Sequence, residues 1–100
     1  MSSPLSQHAS GFLPRELMES FQRPLPETIP EIEEQISLIE KAQKDCSMAI
    51  RRLMESEDIA NGIVFPNQIH ELHQQKNMLE THKQYRRVRI NRLKLQNGFR

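Results

Sequence analysis

Tryptophan is missing from this chain, glycine occurs three times and cysteine once, at Cys46. A lone cysteine excludes a disulfide within the chain and any zinc site built from several thiolates. So few glycines leave no Gly-rich loop to cradle a phosphate, and no nucleophile elbow frames the Ser, His and Asp residues that are present. No apolar run approaches the roughly 18 residues a membrane-spanning helix requires. The opening MSSPLSQHASGF has no basic start followed by an apolar stretch, so no secretory leader is expected. Together these absences predict a protein with no catalytic residues, no cofactor and no metal, placed in the nucleus or the cytoplasm and off the membrane.

What remains is a pattern of helices. In a chain of 100 residues with 36% hydrophobic content, a thick core cannot form and long, solvent-washed helices are the natural outcome. Residues 1–11 are Ser-rich and contain Pro4 and Gly11, which predicts a flexible tail ahead of a helical domain over 12–100. Pro14 suits a helix start, and Leu13, Leu17, Met18 and Phe21 would share one face of a short helix over about 14–22. Pro24 and Pro26 forbid continuation. Thr28 and Glu31 have the spacing of a capping box, in which each side chain reaches the other's backbone N–H. From there Ile29, Ile32, Ile36, Ile39, Cys46, Ile50 and Leu53 recur in steps of three and four, with Gln43 as a polar interruption, and this predicts a heptad seam on a helix over about 29–60. Asn61-Gly62 reads as its stop. Ile63-Val64-Phe65 reads as an apolar plug in the connection, and Pro66 opens a third helix over about 66–97. Its apolar stripe drifts near Lys76 and His82, so it is expected to face more than one neighbour. The predicted fold is all-α: an antiparallel, coiled-coil-like hairpin of two long helices preceded by a short N-terminal one. The seam would join Ile32, Ile36, Ile39, Cys46, Ile50 and Leu53 to Leu72, Leu79, Val88 and Leu93.

Charge is nearly balanced at +1, yet it is segregated. Residues 27–58 carry nine acidic and four basic side chains, and residues 76–100 carry eight basic and one acidic. Laid side by side, an acidic and a basic helix favour the antiparallel register, even though each exposed pair contributes only about 0–1 kcal/mol. The stretch YRRVRINRLK interleaves Arg86, Arg87, Arg89, Arg92 and Lys94 with Tyr85, Val88, Ile90 and Leu93. Arginines at 86, 87 and 89 point different ways round a helix and make no single stripe for phosphates. Nucleic acid contact is therefore expected to be weak and non-specific. Arginine among apolar residues suits a protein interface better. Tyr85, Arg86, Arg87, Arg89, Arg92 and Lys94 are thus the expected partner-binding residues, facing other helical subunits in a hetero-complex or homo-oligomer.

His70 and His73 stand three apart, a spacing that can bind a metal, but no second ligand pair accompanies them and solvent-facing histidines are the simpler reading. Cys46 on the seam is expected to be an inert buried thiol. The methionines are expected to fill gaps in the packing.

The order of segments resembles a known family. A short helix (ELMESFQR), a Leu-Pro connection (RPLPETIP), a long acidic helix, a loop and a long helix ending YRRVRINRLKLQNG are similar to the N-terminal helical half of the first Psf subunit of the GINS complex, part of the eukaryotic replicative helicase assembly. Arg86, Val88, Arg89, Ile90 and Leu93 stand where that family repeats its arginine and apolar residues. The chain departs from the family at His73–Asn77, where an Arg, Asn and Cys cluster is usual, and at Leu95 and Gln96, where a tryptophan often follows. The resemblance implies scaffolding without catalysis, with the long helices packed on sister subunits in DNA replication.

Overall fold

The computed structural model describes residues 13–98; the expected flexible tail, 1–11, lies outside the described residues. Among those described the chain is all-α, with α1 at Arg15–Ser20, α2 at Ile29–Ser56, a 3-10 turn at Ile59–Asn61 and α3 at Pro66–Gly98. The two long helices pack on each other and α1 adds to them. Contacts pair Gln35 with Arg86 and Gln43 with Glu80. As one number rises the other falls, so α2 and α3 run antiparallel.

The helix ends follow from local chemistry. Pro14 is the N-cap of α1 and holds extended backbone. α2 starts after Thr28, whose extended backbone precedes a proline in the first turn, where its missing N–H costs nothing. The expected capping box does not form. The Thr28 hydroxyl donates to the Glu31 carboxylate at 2.7 Å, so the pair is joined side chain to side chain and neither reaches a backbone N–H. α2 ends at Ser56, ahead of the predicted Asn61-Gly62 stop, because Glu57 turns to extended backbone. Asp58 and Ile63 then exchange two backbone hydrogen bonds of 2.7 and 2.9 Å. Asn61 donates its backbone N–H and side-chain amide to the Asp58 carboxylate, and Gly62 closes the turn at φ 73°, where a side chain would be strained. Gly62 therefore serves the turn and not the helix. The Phe65 N–H donates to the Glu57 carboxylate at 3.1 Å and ties the start of α3 back to the end of α2.

The core lies where α1 meets the hairpin: Leu13, Leu17, Ile39, Ala42, Cys46 and Leu79 are buried together, with Met18, Phe21, Leu38, Leu72 and Met78 packed against them. Burying each leucine or isoleucine of this set contributes roughly 1.5–3 kcal/mol. Of the predicted seam, Ile32, Ile39, Cys46, Ile50 and Leu79 are buried, while Ile36, Leu53, Leu72 and Leu93 are half-buried. Val88 is misplaced in that seam: it is 48% exposed, and the neighbouring inward position belongs to Arg86, 1% exposed. Arg86 falls seven residues after Leu79 and seven before Leu93, which returns it to nearly the same side of the helix. Val88 lies about 200° further round. The expected plug is also corrected, because Ile63 and Val64 face outward with Ile59 at the tip of the hairpin. The molecule measures 66 × 31 × 14 Å, and its shortest dimension is close to the diameter of one helix.

Candidate partner-docking site

The last turns of α3 carry the arginines, and the fold gives each a different fate. Arg86 points inward. Its Nε–H donates to the Gln35 side-chain oxygen at 2.8 Å and an Nη to the His82 carbonyl at 3.0 Å, and its guanidinium lies 5.4 Å from the Phe21 ring centroid. No carboxylate of the described residues pairs with it. Burial disfavours the charge and lowers its pKa. A side chain placed this way cannot reach across to a partner, so Arg86 leaves the expected partner-binding set and becomes part of the packing. Beside it the His82 ring stacks on Phe21, with centroids 3.8 Å apart and planes 6° from parallel, and meets Tyr85 edge-on at 6.0 Å. This stack ties the end of α1 to α3. It gives physical content to the drift of the α3 stripe near His82, since that face packs on α1 as well as on α2.

A second group of charges is satisfied between the long helices. Lys83, only 13% exposed at its side chain, lies 3.3 Å from Glu80 and 3.9 Å from Glu40, and donates to the Gln43 oxygen at 2.9 Å. The Gln43 amide donates to Glu80 at 2.9 Å and the Gln84 amide to the same carboxylate at 2.6 Å. These bonds, Gln84 first, then Gln43 and Lys83, hold the Glu80 carboxyl down to about 2. Arg87 reaches Glu40 at 3.5 Å. Gln43, the polar break in the seam, is thus a bridge between helices. Instead of a continuous acidic-to-basic ladder, Glu40 alone makes the ion pairs between α2 and α3 among the described residues.

Arg89, Arg92 and Lys94 have no acid partner among the described residues. Arg89 is half-buried, and its Nε is sealed from solvent with no acceptor. Arg89 and Arg92 line a groove of about 320 Å³ with Tyr85, Val88 and Leu25. Leu25 comes from the proline-rich connection between α1 and α2, so the groove exists only because that connection lies along α3. The sequence offered no signal for Leu25, since a residue between two prolines belongs to no helical period. Tyr85 and Val88, 58% and 48% exposed, present apolar surface to the groove. Lys94 is exposed and outside its lining.

The other candidates for chemistry are placed as follows. His70 and His73 are exposed on the first half of α3, and no group of three or more His, Cys, Asp or Glu among the described residues could hold a metal ion. Cys46 is buried, and burial, then the nearby Asp45 charge, push its thiol pKa up. Among the described residues no helix is long and apolar enough to cross a membrane. Compared with known proteins, the chain matches no family model, no curated protein and no solved structure.

Proposed function

We propose that this chain is a non-enzymatic helical subunit or adaptor whose work is to scaffold a larger protein complex. The observation that carries the reading is the apolar surface left on a hairpin one helix thick: Tyr85, Val88 and Leu95 on α3, Met48 and Met54 on α2, and Ile59, Ile63 and Val64 at the tip are all large and exposed. Apolar surface of this kind marks interaction sites when it is rimmed by polar groups. Arginine beside aromatic and aliphatic residues is the composition of interface cores. The GINS resemblance supplies one assembly of this type, in which the long helices would lie against sister subunits in the nucleus.

A nucleic-acid-associated protein is the second reading, favoured by the unpaired Arg92 and Lys94. It is weakened by the inward Arg86 and by Arg87, which Glu40 already holds. The test is sedimentation of the purified chain, alone and with the proteins that co-purify with it from its native source. The expected outcome is an oligomer, or a poorly ordered monomer that becomes ordered in a defined complex. A monodisperse monomer with a sharp cooperative melt and no stoichiometric partner overturns the reading.

A further inference from the structure

We infer that the groove between the Leu25 connection and α3 is the docking site for an acidic segment of a partner protein, one presenting a carboxylate beside a bulky apolar residue. The inference rests on the scaffold reading and names the chemistry of the partner. Three observations converge on it. The Arg89 Nε–H is a donor sealed from water with nothing to accept it, and buried polar groups in folded proteins are nearly always paired. A carboxylate entering the groove would meet the Arg89 guanidinium, and a turn of that side chain would release the sealed Nε–H and offer it with an adjacent Nη–H in two parallel bonds, the geometry for which a guanidinium fork is built. Arg92 on the same lining supplies a second cation. The two acids that pair with cations of α3 are engaged elsewhere: Glu40 holds Lys83 and Arg87, and Glu80 holds Lys83, Gln43 and Gln84. No acid of the described residues pairs with Arg89 or Arg92, which leaves both charges open to a complement from outside.

The remaining lining selects the kind of molecule. Leu25, Tyr85 and Val88 form an apolar wall suited to one aliphatic or aromatic anchor, as in the pockets that dominate protein interfaces. A nucleic acid strand needs cations that track successive phosphates and platforms for successive bases. Here only Arg89 and Arg92 face the groove, and its other walls are apolar.

The test uses the full chain and two synthetic helical peptides, one with leucines flanked by glutamates and one with the same leucines flanked by glutamines. Binding is followed by fluorescence anisotropy, with single-stranded oligothymidine as a third probe. The glutamate peptide is expected to bind at least about tenfold tighter than the glutamine peptide, from the strength of hydrogen bonds between charged groups. Arg89→Gln and Arg92→Glu are each expected to remove most of that difference, and Tyr85→Ala to weaken both peptides. Arg92 and Tyr85 are exposed, so their variants keep the fold, which circular dichroism verifies. Arg52→Gln, exposed on α2 and outside the groove, should change nothing. Equal binding or no binding of the two peptides, an unchanged preference in Arg92→Glu, or tighter binding of oligothymidine overturns the assignment. An oligomeric chain with no peptide preference loses the groove and keeps the scaffold reading. A sharply melting monomer that still prefers the glutamate peptide loses the scaffold reading instead.

Discussion

Arg86 is the residue at which composition and position disagree. Its charge assigns it to the surface with its basic neighbours, and its spacing of seven from Leu79 and Leu93 assigns it to the seam. The fold follows the spacing, and accommodates the charge with one amide oxygen, one backbone carbonyl and the face of Phe21. A buried cation without a carboxylate depends heavily on each acceptor. Gln35→Leu, which removes one acceptor and leaves the guanidinium in place, is expected to cost about 2–3 kcal/mol in urea unfolding. Adding Arg86→Met to that variant should recover part of the loss, because an apolar side chain of similar length no longer needs the acceptor. If the double variant is less stable than Gln35→Leu alone, Arg86 contributes more to the fold than its neighbours repay. The interior arginine was thus legible from period and hidden by class. Gln35 was not legible at all, since nothing in its surroundings in sequence marks it as a partner for residue 86.

At the scale of elements, α1 is the most conditional piece. Six residues are too few for a helix that stands alone in water. It is retained by Leu13 and Leu17 in the core and by the Phe21 stack on His82. Desolvation, and secondarily the charge of Arg86, lower the pKa of His82. The folded state therefore binds fewer protons at this site than the unfolded chain, and stability must rise with pH across the titration. The contribution is complete above the ordinary imidazole value of 6.5 and is lost as the pH falls below it. Urea midpoints measured downward through that value should decline, and His82→Gln should flatten the decline. A wild-type midpoint unchanged across this range would show that the stack does not resist protonation. A separate loss should appear at lower pH, from 4.5 toward about 2, as Glu80 is protonated. The carboxylate is about half exposed and only Lys83 among its partners is charged, so added salt should shrink just the Lys83 share of that step. The prolines made the boundaries around α1 and the start of α2 readable, because they forbid helix locally. The end of α2 was not readable: a glycine signal marks a place where the backbone reverses, and says less about which element it terminates.

For the whole molecule, the radius of gyration is 17.2 Å, against roughly 13 Å for a compact domain of this length. Small-angle scattering from dilute monomer should return the larger figure, and assembled particles a higher one still. A value near the compact figure would mean that the hairpin folds back on itself in solution. The all-α hairpin was readable because hydrophobic period needs no knowledge of partners in space. The docking groove was only half readable. Tyr85, Arg89 and Arg92 announce themselves on one helix, whereas Leu25 joins them only through the path of the connection, and the distribution of ion pairs depends on which rotamers reach Glu40.

The paired turn that joins the long helices constrains how two copies can ever meet. Asp58 and Ile63 are held by reciprocal backbone bonds, Asn61 is clamped to Asp58, and Phe65 is tied to Glu57. Straightening this knot into a continuous rod, one route by which α3 could be exchanged between molecules, would break each of those bonds. Copies of this chain are therefore steered toward meeting as finished hairpins, surface against surface, and away from the exchange of whole helices to which slack hinges are prone.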